Sequence, residues 1–140
     1  DCLLSRGLGD VYKRQGKGFG VMNDELLWCE VLITPPSVNH YWIRGANKTN
    51  RLSKRAIHFI DVMKRFIEPA GYQGRVRVKI EYAPPDAKIR DIDNIVKPCF
   101  DALSKGGLIL DDSQVDELLV KRLPSEKGGK LIIQVEKLRV

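Results

Sequence analysis

The chain holds few of the residues that build soft metal sites, and none sits at metal-ligand spacing. It has two histidines, His40 and His58, and three cysteines, Cys2, Cys29 and Cys99, with no C-x-x-C pair. A zinc site and a disulfide framework are therefore not indicated. Cys29 and Cys99 read as small core residues in a reducing compartment. No apolar run approaches the roughly 20 residues needed to cross a bilayer, and no secretion signal, internal repeat or low-complexity linker is recognisable. These absences exclude a membrane-spanning helix and a secreted disulfide scaffold, and make the cytoplasm the expected location.

Charge is plentiful. Lys and Arg number 24 against 18 Asp and Glu, a net +6. That balance favours a polyanionic partner such as nucleic acid.

Residues 5–15, SRGLGDVYKRQ, resemble a translated sequencing adapter. Residues 1–21 are accordingly expected to be a non-native, disordered leader, with Met22 the native start. Residues 22–140 then suit one domain with one modest core.

Hydrophobic periodicity predicts a strand over Leu26 to Ile33, stopped by Pro35-Pro36. Ser37 to Asn50 reads as a polar loop. Ser53 caps a helix running to about Glu68, with Ala56, Phe59, Ile60, Met63, Phe66 and Ile67 on its apolar side. Arg75 to Tyr82 alternates as a half-buried strand. A second helix begins near Asp93 or Asn94 and ends at Gly106-Gly107. Glu117 to Leu123 and Lys130 to Leu138 read as a closing hairpin. The order predicts an α+β fold: a single domain whose mixed β-sheet carries two main helices packed on it.

The chemistry concentrates at Asp91-Ile92-Asp93-Asn94, Lys97 and Asp111-Asp112. Asp91 and Asp93 are alternate residues of an extended segment, so both side chains reach one side. Lys97 follows Asp93 by four residues and would share its helix face. Asp112 follows a short apolar run that would deliver it beside the first pair. Three gathered carboxylates call for a cation, and hard oxygen ligands suit Mg²⁺. Mg²⁺ so held activates water and polarises a phosphoryl oxygen, while Lys97 stabilises the developing charge. Taken singly each residue has a plainer use: Asp93 as a helix cap, Asp111-Asp112 as a solvated turn, Lys97 as a surface ion pair. An EF-hand is excluded, because Ile95 and Val96 stand where that loop needs an oxygen ligand and glycine.

Arg90 and Lys88 flank the aspartates, and Arg44, Lys48, Arg51, Lys54 and Arg55 offer a phosphate-tracking surface. Tyr41 and Trp42 either stack on bases or cover the core edge. Asp101 and Asp116 read as surface carboxylates, and neither histidine is assigned to a site.

Several motifs in order resemble the RusA family of Holliday junction resolvases, prophage-associated endonucleases. They are PPSVNHY at residues 35–41, RDIDNIVK at 90–97, FDAL at 100–103, GLILDDSQV at 107–115 and KGG at 127–129. The resemblance implies that Asp91, Asp93 and Asp112 bind the metal, with Asp111 the adjacent alternative to Asp112, and that Lys97 is the catalytic lysine. It implies Mg²⁺ as cofactor, with Mn²⁺ an acceptable substitute, and branched DNA, above all four-way junctions, as substrate. It further implies a homodimer making paired symmetric nicks in a bacterial or phage-infected cell. Some relatives carry a run of arginines before the first aspartate, where this chain has Asp86-Ala87-Lys88-Ile89-Arg90. The competing readings are a branched-DNA-binding protein that does not cut, and a small RNA-binding domain of ribosomal type.

Overall fold

The computed structural model describes residues 24–45 and 50–139. The leader over 1–21, the start at Met22 and Lys48 lie outside the described residues.

Among the described residues, eight strands and α-helices follow in order: β1 (Glu25–Val31), β2 (Trp42–Arg44), β3 (Asn50–Leu52), α1 (Lys54–Lys64), β4 (Val76–Ala83), α2 (Val96–Lys105), β5 (Val115–Arg122) and β6 (Lys130–Lys137). The main sheet has four strands in the order β1-β6-β4-β5. β4 is parallel to β5 and antiparallel to β6, and β6 is antiparallel to β1. α2 lies in the crossover between the parallel pair, as parallel strands require. The mixed sheet and paired helices are those the sequence pattern implies.

One face of the sheet builds the core. Val76, Val78, Ile80 and Tyr82 of β4 alternate inward beside Leu131, Ile133 and Val135 of β6 and Leu27, Cys29 and Val31 of β1. Phe59, Ile60 and Met63 of α1 and Cys99, Ala102 and Leu103 of α2 join the same cluster, and the two helices pack on each other. Ser53 caps α1 by accepting the Ala56 N–H at 3.1 Å. Pro98 sits in the first turn of α2, where its missing N–H breaks no helical bond.

Four expectations are corrected. The closing hairpin does not form, because β4 lies between β5 and β6. Residues 123–129 instead cross the end of β4, with Leu123 N–H donating to the Tyr82 carbonyl and Glu126 N–H to that of Pro84, both at 2.8 Å. A seven-residue connection readily spans the two strand spacings, about 10 Å, between β5 and β6. β1 ends at Val31 and buries only alternate residues, as a strand with one face on the core does. α1 ends at Lys64, although Phe66 and Ile67 stay buried beyond it. The polar loop contains a small antiparallel ladder, β2 with β3.

Candidate active site

The segment after β4 carries the candidate site residues Asp91, Asp93 and Lys97. Asp91 to Ile95 enters α2 through a 3₁₀ turn over Ile92–Ile95, anchored by buried Ile95. That turn packs beside β5 and against a second 3₁₀ turn at Val38–His40. Asp91 stands at the N-cap of the first turn but its side chain makes no capping bond. Among the described residues, neither the Asp91 nor the Asp93 carboxylate has a hydrogen-bond or ion-pair partner, and both residues are exposed. The capping explanation for these aspartates therefore fails.

Lys97 does not pair with Asp93. The 3₁₀ turn has three residues per turn, so the α-helical four-residue stacking is lost at that point. Lys97 reaches forward instead, with Nζ 3.0 Å from Oδ1 of Asp101 and 3.4 Å from Oδ2 of Asp112. The hydrogen bond that Lys97 donates to Asp101, helped by the charges of Asp101 and Asp112, holds the ammonium above the ordinary lysine range.

Asp101 is not the surface carboxylate expected of it. It is buried, and its Oδ2 accepts the Tyr41 hydroxyl at 2.5 Å. Tyr41 is itself fully buried, and burial, then Asp101, pushes its phenol well above the usual range. Tyr41 thus belongs to the core edge. Trp42, which meets the Tyr41 ring edge-on at 5.5 Å, keeps about half its surface open (48%). The clue to Asp101 in the sequence was its four-residue spacing from Lys97 on a regular helix.

Asp111 and Asp112 divide their work. Asp111 caps the 3₁₀ turn at Asp112–Gln114: its carboxylate accepts the Ser113 N–H at 2.9 Å, and Gln114 Oε1 accepts the Asp111 N–H at 3.0 Å. The Ser113 side chain foremost, then the Ser113 N–H, holds the Asp111 carboxyl below its usual range. Gln114 Nε2 in turn donates to the carbonyls of Tyr72 and Gly74, both at 2.8 Å, which fixes the turn to the preceding chain. Asp112 is left to face Lys97.

A cavity of about 400 Å³ opens beside Asp91, with His40, Arg55, Tyr82, Arg90 and Asn94 among its lining residues. The sequence had placed Arg55 on a basic surface and His40 at no site. Arg90 is tied to Asp86 at 2.6 Å, and its carbonyl accepts from Arg122. Lys88, Arg44, Arg51 and Lys54 are exposed, and the β2–β3 register puts Arg44 on the face of Trp42 and Arg51 on that of Ile43. Asp116 remains a surface carboxylate, paired with Arg75.

The donor set is carboxylate oxygen, which suits a hard divalent cation, and two of its members are partnerless among the described residues. The side chains as they stand do not converge: among the described residues no three His, Cys, Asp or Glu groups sit close enough to hold a metal ion.

Comparison with known proteins places this arrangement in a nuclease class. The family model described as Endodeoxyribonuclease RusA matches residues 33–136. The chain is 37% identical to the crossover junction endodeoxyribonuclease RusA of Shigella sonnei (strain Ss046) over 105 residues, covering 72% of this chain and 87% of that protein. It has the same identity and coverage with the protein of that name from Escherichia coli (strain K12), and 36% identity over 105 residues with that of Enterobacteria phage 82. The chain belongs to the RusA family of endodeoxyribonucleases.

Proposed function

We propose that this chain is a crossover junction endodeoxyribonuclease that resolves four-way DNA junctions by paired, symmetric phosphodiester hydrolysis. The observation carrying this reading is the pair of partnerless aspartates, Asp91 and Asp93, at the entry to a helix whose lysine is held by Asp101 and Asp112. Asp91, Asp93 and Asp112 would hold Mg²⁺, or Mn²⁺ in its place. The cation, when bound, supplies an activated water and a polarised phosphoryl oxygen. Because the three carboxylates are not already clustered, binding has to include their convergence.

The chain's own groups do the rest. Lys97 is kept protonated by Asp101 and stabilises negative charge on the leaving oxygen. Tyr41 and Asp101 position Lys97 without touching DNA. Arg44, Arg51, Lys54, Lys88 and Arg90, with Lys48 by sequence, neutralise phosphates on the approach. The working unit is a homodimer, since two symmetric nicks need two sites related by a two-fold axis. The functional domain is residues 22–140, acting in the cytoplasm of a bacterial or phage-infected cell.

The test is cleavage of a synthetic four-way junction by the full chain, with each strand labelled in turn, in Mg²⁺ and in EDTA. Metal-dependent nicks placed symmetrically and lost in Asp91→Asn are expected. Tight junction binding without cleavage would replace this reading with that of a non-cutting branch-binding protein.

A further inference from the structure

Two cavities adjoin beside α1, sharing Thr34 and Arg55 among their lining residues. The larger, about 400 Å³, is the one beside Asp91. Tyr82 lines it and is only 3% exposed, yet its hydroxyl has no hydrogen-bond partner among the described residues. Among those residues no fully buried side-chain oxygen lacks a partner, so the Tyr82 hydroxyl opens into the cavity rather than the core. The side chains of Asn39 and Asn94 line the same space and are likewise unpartnered among the described residues. The smaller cavity, about 300 Å³, is lined by Lys54, Arg55 and His58 and by no acidic residue. None of these basic side chains has an ion-pair partner among the described residues. We propose that the two cavities form a binding site for one unpaired nucleotide, its base in the larger and its phosphate in the smaller.

The two halves offer different chemistry. An amide presents a donor and an acceptor side by side, as the edge of a base does, and a phenol serves as either. Burial foremost raises the Tyr82 phenol, which keeps it neutral for that work. Pro35, Pro85 and Ile95 supply apolar lining against which a flat ring can lie. Pockets that hold a single base combine these same elements, hydrogen bonds to its edge and apolar contact with its faces. Lys54, Arg55 and His58 suit phosphate. Arg55 is common to both cavities, and its planar fork matches phosphate oxygens. Asp91 lines only the larger cavity, so no carboxylate opposes an anion in the smaller one.

A duplex backbone needs only exposed cations. It leaves the buried Tyr82 hydroxyl and the two amides without a use. A free mononucleotide and an unpaired nucleotide of a DNA strand present the same base and phosphate, so both fit the site. On the nuclease reading, either would lie beside Asp91. Binding here calls for neither metal nor cleavage, so the nucleotide site and the nuclease assignment can fail separately.

The test is titration of the isotope-labelled full chain, without metal, with the 5′-monophosphates of deoxyadenosine, deoxycytidine and thymidine, each alone, followed by amide NMR. At least one is expected to bind saturably and to shift the signals of His40, Arg55 and Asn94. Arg55→Ala should weaken that mononucleotide by about tenfold while leaving the weaker binding of its nucleoside unchanged. Tyr82→Phe should weaken both by roughly threefold to tenfold. Circular dichroism checks that each variant is folded. Displacement by a DNA hairpin carrying one extrahelical nucleotide, and not by the fully paired hairpin, assigns the nucleotide to a DNA strand. Retention against both assigns it to the free pool. Unshifted signals with all the mononucleotides, inorganic phosphate binding as tightly, variants that bind like wild type, or equal displacement by both hairpins would each overturn the proposal.

Discussion

Tyr41 donates its hydroxyl to Asp101 at 2.5 Å, joining residues sixty positions apart in sequence and placing a buried carboxylate under Lys97. The lysine is held in place by this pair rather than by the aspartates before it. Tyr41→Phe leaves Oδ2 of Asp101 buried without its donor, a loss of about 1–3 kcal/mol of stability. Asp101→Asn keeps the shape but removes the charge that raises Lys97. Cleavage should fall by about tenfold or more, against about 10²–10³-fold for Lys97→Ala, the size of losing one charge-stabilising donor. Single-turnover rates and urea midpoints for the three variants separate positioning from catalysis. An Asp101→Asn protein cutting at the wild-type rate would remove Asp101 from the mechanism.

Asp91 and Asp93 are exposed and partnerless among the described residues. Groups that hold no structure can be neutralised without unfolding the protein. Asp91→Asn and Asp93→Asn should therefore leave the thermal midpoint unchanged or slightly raised while abolishing cleavage, with junction binding retained. Paired melting curves and mobility-shift titrations check this. A large drop in midpoint would show that the carboxylates serve the fold.

The legible parts of the sequence were those governed by local rules. The alternation of Val76, Val78, Ile80 and Tyr82 identified β4, and Ser53 marked the start of α1. The motif residues Asp91, Asp93, Lys97 and Asp112 were likewise visible. Strand neighbours were not, because β5 and β6 are adjacent in sequence while their pairing is decided by β4 some 30 residues earlier. Nor was the burial of Asp101, which depends on Tyr41 arriving from a distant loop. The Asp93–Lys97 pairing failed because helical spacing assumes an α-helix from the first turn, and this one opens as a 3₁₀ turn.

Asp111 and Asp112 are neighbours with separable roles. Asp111→Ala removes a cap that links the 3₁₀ turn to β5, so the melting temperature should fall while cleavage persists at temperatures where the variant is folded. Asp112→Ala should do the reverse, leaving the melting temperature near wild type and removing activity. Measuring both quantities on both variants settles which aspartate serves the reaction. Equal loss of cleavage in the two would mean that the turn, rather than one carboxylate, is what matters.

Asp86 restrains Arg90 through a 2.6 Å ion pair and also accepts the Lys88 N–H at 3.0 Å. Arg90 foremost holds the Asp86 carboxyl below its usual range. A depressed pKa contributes stability that is present above the ordinary carboxylate value, about 3.9, and is lost as pH falls through the folded value. Asp86→Asn should accordingly flatten part of the acid limb of a stability profile. The same change releases Arg90 for a phosphate. Junction affinity should rise, and the dependence of log affinity on log salt should steepen by about one unit. Fluorescence anisotropy at several salt concentrations reads both effects, and an unchanged slope would show that Arg90 does not reach the backbone.

Gly128 and Gly129 both adopt positive φ, 86° and 81°, in the loop that crosses the end of β4. Either one replaced by alanine incurs the left-handed strain of about 1–2 kcal/mol. Their surroundings differ. A Cβ at Gly128 meets nothing within 4 Å, while one at Gly129 would fall 2.2 Å from Thr34 Oγ1 and 3.1 Å from the Ile33 carbonyl. Thr34 is itself engaged, donating to the Gly128 carbonyl at 3.0 Å. Gly129→Ala must therefore displace the segment that follows β1 as well as strain the turn. It should lower the urea midpoint clearly more than Gly128→Ala. Thr34→Ser in the Gly129→Ala background keeps the offending oxygen and should recover little, whereas Thr34→Gly removes it and should recover part of the loss. Equal midpoints for the two single alanine variants would show that backbone strain alone, and not the approach of Thr34, makes glycine necessary there.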